Sequence, residues 1–333
     1  MTTDATTGPA TPTAGADTRA VQDAFARVRE AVGRVIVGQD EPVRLAFATL
    51  LCEGHALFEG VPGVAKTLLV RTLANALALR FGRVQFTADL MPADVIGTSV
   101  LQQAAGDLRF RPGPLFTDVL LADEINRAPA KTQAALLEAM QERAATVDGV
   151  RHDLGPYFTV FATQNPVEQE GTYPLPEAEL DRFLFKVVVG YPGEDEEVAL
   201  LARHHAGGAG GGAAEAAVAP VLDAGELARL RDAVRRVIVR DEVLRYVADL
   251  VRATRDDARF ELGASPRAGV LLLRAAKANA ALEGRDFAIP EDVQQVHLPT
   301  LRHRVLLDAA AEVDGTTPDE ALRANLSSVT VPR

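Results

Sequence analysis

Lys66 and Thr67 close the stretch GVPGVAKT, residues 60–67, in which glycines stand at Gly60 and Gly63. Those glycines supply the backbone freedom to wrap a chain around phosphates. The amides of Val64, Ala65, Lys66 and Thr67 would then point at an anion, at the positive end of the helix that follows. Lys66 would neutralise β- and γ-phosphates, and the Thr67 hydroxyl would hold Mg²⁺. The general phosphate-loop spacing, G-x-x-x-x-G-K-[ST], has a glycine where Ala65 stands here. Ala65 is small, so helical φ/ψ there would let it replace glycine with little strain.

Two further segments carry suitable chemistry. In VLLADEINRAP, an apolar run ends in Asp123 and Glu124. One carboxylate there can hold the hydration shell of Mg²⁺, and the next can polarise an attacking water. Alone, such a pair is as readily the start of a capped helix; downstream of a phosphate loop it is far more specific. In FTVFATQNP, Asn165 follows a buried run, and its uncharged amide could orient that water. Taken singly, an Asn-Pro pair is more often a turn. Arg182 in PEAELDRFLF and Arg267 in GASPRAG are the remaining cationic candidates.

Short apolar runs must position these groups. HALFEG, RVQFTA, VLLAD, YFTVFAT and FLFKVVV read as strands, and helical patterns alternate with them. That alternation predicts an α/β fold with a mainly parallel sheet covered on both faces. Ligands in such sheets bind at the carboxyl ends of strands, which puts 60–67, Asp123, Glu124 and Asn165 on one rim. Ordered structure is expected from about Ala20, with Val21, Phe25, Val28 and Val32 on one helical stripe. Residues 1–19, rich in Thr, Ala, Pro and Gly, read as a disordered leader. Residues 20–203 form the expected nucleotide-binding unit, and 204–220 a Gly/Ala-rich linker. Residues 221–333 carry helical periodicity throughout, which predicts a small α-helical domain.

The 333 residues carry a net charge of −11. That is the wrong sign for holding nucleic acid by bulk electrostatics. The single cysteine, Cys52, leaves no partner for a disulfide within the chain. With no secretory signal and no apolar run of membrane-spanning length, a cytoplasmic location is expected. The pairs His204/His205 and His297/His303 lack cysteines or carboxylates at ligand spacing, so no metal is expected on them.

In combination these segments resemble the MoxR family of AAA+ ATPases, whose loop reads G-x-P-G-x-x-K-[ST]. GVPGVAKT fits that branch, so Ala65 does not signal decay. VGQDEPV, LADEINRAPAKTQAALLEAMQE, ATQNPVEQEGTYPLPEAELDRF and GASPRA resemble the family's segments in order. The resemblance implies an AAA+ core with a C-terminal α-helical lid, binding and hydrolysing ATP with Mg²⁺. It implies that Gly60, Val61, Pro62, Gly63, Val64, Ala65, Lys66, Thr67 and Leu68 cradle the phosphates, while Val37, Gly38 and Gln39 contact adenine. It further implies Thr67 and Asp123 at the metal, Glu124 as base and Asn165 as sensor 1. Arg182 would be the arginine finger, and Arg267 sensor 2 on the lid, reaching the γ-phosphate from the helical side.

Residues 90–116 match the family's helix-2 insertion facing a ring pore, and ATVDGVRHDL a hairpin with an Asp148-Gly149 turn. The implied partners are further copies of the chain in a ring, expected to be a hexamer, a protein with a von Willebrand factor A domain, and a client to remodel or mature. No nucleic acid is expected. A DNA-directed AAA+ protein and a nucleotide-binding regulator without turnover are the alternatives; acidity weighs against the first and Glu124 against the second.

Overall fold

Five of the apolar runs become one parallel sheet. In the computed structural model, which describes residues 14–102, 107–165, 172–205 and 218–332, the strands are β1 (Ala56–Glu59), β2 (Phe81–Gln85), β3 (Gly97–Gln102), β4 (Asp107–Pro112), β5 (Val119–Asp123), β6 (Ala144–Val147), β7 (Val150–Asp153), β8 (Thr159–Gln164), β9 (Phe185–Val188), β10 (Phe260–Leu262) and β11 (Leu306–Leu307). The sheet order is β2-β5-β8-β1-β9. Every pairing in it is parallel.

Side chains alternate between its two faces, as the pleat requires. Ala56 and Phe58 of β1 join Leu121 and Phe161 in one core. Leu57 joins Leu120, Ala122 and Val160 in the other. Burying each Leu or Phe contributes about 1.5–3 kcal/mol. The sheet is therefore the rigid frame from which the rim loops hang.

Helices cover both faces: α1 (Ala14–Gly33), α2 (Asp40–Leu51), α3 (Lys66–Ala76), α4 (Pro92–Ile96), α5 (Ala130–Glu142), α6 (Glu177–Leu180) and α7 (Glu194–His205). The C-terminal part supplies α8 (Ala224–Arg236), α9 (Asp241–Asp256), α10 (Pro266–Leu282), α11 (Pro290–Leu301), α12 (Ala309–Val313) and α13 (Pro318–Ser328). These helices share a core with α1 and α2, in which Val21 and Phe47 meet Leu227, Leu272 and Val293. Among the described residues, no helix is long and apolar enough to cross a membrane.

Two boundaries differ from expectation. Helix α1 starts at Ala14, inside the expected leader. The Thr18 hydroxyl donates to the Gly284 carbonyl at 3.2 Å, and Asp17 pairs with Arg236 at 2.8 Å. Contacts more than 200 residues away thus extend a helix that composition disfavours. Helix α7 runs through His205, into the expected linker. Residues 1–13 of the leader and 206–217 of the Gly/Ala stretch lie outside the described residues. Strands β6 and β7 form the expected hairpin. Asp148 and Gly149 lie at φ 50° and 78°, the two left-handed positions of a tight hairpin turn.

Candidate functional site

The 60–67 loop leaves the carboxyl end of β1 and enters α3. Gly60 has no room for a side chain, because a Cβ would lie 2.3 Å from the Val189 carbonyl oxygen. Ala65 corrects the sequence expectation. Its backbone is left-handed, at φ 59° and ψ 23°, a conformation that costs an L-residue roughly 1–2 kcal/mol. The turn through Ala65 brings the free N–H groups of the first turn of α3 to the loop. Lys66 Nζ donates to the Gly60 carbonyl oxygen and, at 3.4 Å, to that of Val61. Partial burial pushes the Lys66 pKa down, opposed by Asp123, Glu124 and Glu59.

Thr67 Oγ1 donates to Asp123 Oδ2 at 3.4 Å. The other Asp123 oxygen accepts from Thr163 Oγ1 at 2.6 Å, and that hydroxyl accepts the Glu124 N–H at 2.8 Å. Arg83 donates Nη2 and Nε to Asp123 Oδ2 at 2.7 and 3.1 Å. Glu124 is left-handed, at φ 56° and ψ 50°. Its Oε2 accepts from Gln85 Nε2 at 2.8 Å and faces Arg127 Nε at 3.0 Å. The structure brings Lys66, Thr67, Leu68, Asp123, Glu124 and Asn165 to one cavity of about 440 Å³, with Pro62 to Ala65, Thr163 and Gln164 completing its wall.

Thr67 and Asp123 offer a hydroxyl and a carboxylate side by side. That all-oxygen donor set fits Mg²⁺, which takes one or two protein oxygens together with phosphates and water.

A second cavity, of about 240 Å³, is walled by Val32, Ile36, Val37, Gly38, Gln39 and Val43 among others. It adjoins the loop through Gln39 Nε2, which donates to the Val64 carbonyl at 2.7 Å. Val32, Ile36, Val37 and Val43 give it apolar wall, and Arg29, Gln39 and Asp40 give it polar edges, a mixture that can receive a flat base. Gly38, at φ 72°, lies under the Glu196 carboxylate, where a Cβ would approach to 2.2 Å.

Neither Arg182 nor Arg267 lines the phosphate-loop cavity. Arg182 precedes β9, at the amino end of the sheet, where the Leu184 N–H donates to the His55 carbonyl. Its Nη1 donates to the Leu137 carbonyl at 3.0 Å and to the Gln141 side chain, while its Nε has no partner. Arg267 begins α10, half-exposed, with its Nε 4.0 Å from Asp181 Oδ2. Arg267 therefore lies away from the phosphate-loop cavity of its own chain. The lid docks so that Arg267 sits beside the residue preceding Arg182, at the rim opposite the loop.

Sequence reasoning missed Arg83, Gln85, Arg127 and Thr163. His297 and His303 are buried. Burial lowers the His297 pKa to about 4 and holds His303 well below the ordinary histidine value. Among the described residues, no group of three or more His, Cys, Asp or Glu could hold a metal ion.

Residues 55–185 match the ATPase family associated with various cellular activities, and residues 252–325 match the AAA lid domain. Chaperone MoxR1 of Mycobacterium tuberculosis is 42% identical over 311 residues, covering 91% of this chain and 81% of that protein. Protein MoxR of Methylorubrum extorquens is 32% identical, covering 93% and 96%. The crystal structure of a Cytophaga hutchinsonii protein proposed to be an ATPase superposes with a TM-score of 0.87 at 37% identity, covering 96% of this chain and 98% of that one.

Proposed function

The chain belongs to the MoxR family of AAA+ ATPases, and from that premise we propose a ring whose ATP sites form between neighbouring subunits and whose turnover remodels or matures partner proteins. The observation that carries this reading is the separation of Arg182 and Arg267 from their own phosphate loop. Phosphoryl transfer needs cationic charge on the γ-phosphoryl group as well as at the loop. A subunit with loop and arginines at opposite ends of its sheet meets that need when a neighbour presents its arginines.

Within this reading, Lys66 leaves the carbonyls of Gly60 and Val61 for the β- and γ-phosphates. Thr67 and Asp123 hold Mg²⁺, which when bound neutralises phosphate charge. Glu124, restrained by Gln85 and Arg127, takes the proton of the attacking water, which Asn165 orients. Arg182 and Arg267 act on the neighbour's γ-phosphate. The chaperone role follows the name of the mycobacterial relative. The hexameric ring, the A-domain partner, the client and the cytoplasmic setting follow the family resemblance.

The test is steady-state phosphate release from ATP and Mg²⁺ across protein concentrations, with sizing in parallel. Activity per subunit should fall steeply as the ring dilutes to monomers. A monomer as active as the assembled protein would overturn the shared site.

A further inference from the structure

Arg182 sits in a backbone segment that is gripped from the far end of the chain. Arg304, just past α11, has a side chain only 1% exposed. Its Nε donates to Asp181 Oδ1 at 2.7 Å, and its Nη2 donates to the carbonyl oxygens of Asp181, at 3.0 Å, and Phe183. Its Nη1 donates to the carbonyls of Leu184, at 3.3 Å, and Thr300. One guanidinium therefore holds the carbonyl groups on both sides of Arg182. The second oxygen of Asp181 faces the lid, where Ser265 Oγ lies at 3.5 Å and Arg267 Nε at 4.0 Å. Burial lowers the Arg304 pKa to about 10, with Asp181 opposing the fall, so the group stays charged at neutral pH.

We propose that Arg304 is a positioning residue. Through the backbone of 181–184 and the Asp181 carboxylate, it sets where Arg182 and Arg267 meet the neighbouring subunit's nucleotide. The proposal rests on the reading that Arg182 acts in trans. A planar fork suits the task, because five donors in fixed geometry can pin several carbonyls at once. A lysine ammonium or an apolar chain cannot. Arg304 touches no nucleotide, and its effect lies in placement: an error of about 1 Å in a catalytic group costs roughly a hundredfold in rate.

The test is complementation. Arg304→Met keeps an intact phosphate loop and loses the placement of its arginines. Alone, it should turn over about a hundredfold more slowly than the parent, with ATP affinity within about twofold of it. Mixed with Lys66→Ala, which lends a placed Arg182, it should regain activity. Mixed with Arg182→Ala, it should stay inactive. The proposal is overturned if Arg304→Met restores Arg182→Ala. It is also overturned if it fails with Lys66→Ala while the control mixture of Arg182→Ala and Lys66→Ala succeeds. Failure of that control instead removes the underlying reading of Arg182. Should Arg304→Met not assemble, Asp181→Asn keeps volume and an acceptor, and the same mixtures decide: the same pattern at smaller loss supports the proposal, and rescue of Arg182→Ala overturns it.

Discussion

The two ends of the central sheet are built on opposite principles. At the carboxyl end, Lys66, Thr67, Asp123 and Glu124 border an open cavity. There the backbone is left-handed at Gly63, Ala65 and Glu124. Lys66 rests on carbonyls of its own loop, and Asp123 on Arg83, partners that a ligand can replace. At the amino end His55 and Arg304 are buried and held by hydrogen bonds. His55 Nδ1 accepts the Val160 N–H at 2.9 Å, which leaves Nε2 to donate to the Met140 carbonyl at 3.2 Å. Arg304 is saturated by carbonyls and by Asp181. One end is poised to exchange partners, and the other holds its cations still. On the proposed reading, that separation leaves Arg182 and Arg267 for a neighbouring subunit's site.

The largest expected effect lies at the open end. Glu124→Gln should lower phosphate release by about a hundredfold to ten-thousandfold, the usual contribution of a general base. ATP should stay bound, whereas Lys66→Ala should lose the nucleotide itself. Equilibrium binding beside phosphate release separates the two. Turnover of Glu124→Gln at the parent rate would remove Glu124 from the chemistry.

Next is Arg267→Ala. Its loss should cut turnover of the assembled protein by about tenfold or more. Nucleotide affinity of dilute subunits should stay unchanged, since the side chain is away from its own loop. A matched fall in monomer affinity would place Arg267 back within its own site.

Acid should act on the buried histidines. His55 is lowered to about 3 by burial and the nearby Arg143, and His297 to about 4 by burial. Both fold as neutral rings, while the unfolded chain takes up protons below about pH 6.5. Their stabilising share is therefore whole above that pH and is lost as pH falls towards 4. The slope is up to about 1.4 kcal/mol per pH unit for each ring. Urea midpoints between pH 7 and 4 should show it, and His297→Gln should make it shallower by one ring's share. A flat profile in the parent would contradict the burial of these rings.

The smallest effect belongs to Ala65→Gly. Relief of the left-handed cost, about 1–2 kcal/mol, is offset by about 0.4–1 kcal/mol of extra freedom in the unfolded chain. The melting temperature should rise by a few degrees at most, with activity retained. A clear loss of stability would mean that the Ala65 methyl group packs usefully.

The open end was largely legible in the sequence, because its groups follow buried apolar runs and a parallel sheet brings strand ends to one rim. Spacing revealed that Gly60 to Thr67 form a loop but not the hand of Ala65, since a small residue is compatible with either. Arg83, Gln85 and Thr163 stayed hidden because their contacts depend on β2, β5 and β8 being neighbours, a non-local fact. The closed end was the least legible. Arg304 meets Asp181 across 123 residues of chain, and nothing in the local pattern of either segment announces the other. The docking of the lid, which carries Arg267 away from its own loop, is likewise a product of tertiary packing.

The shared site is tested most directly by mixing Arg182→Ala with Lys66→Ala, each inactive alone, under conditions where sizing shows mixed rings. An interface with the loop of the first variant and the arginine of the second is intact, and random mixing at equal amounts makes about a quarter of interfaces so. Phosphate release should return to about that fraction of the parent rate. Mixed rings that form and stay inactive would contradict the account, and would leave Arg182 acting within its own subunit or not at all.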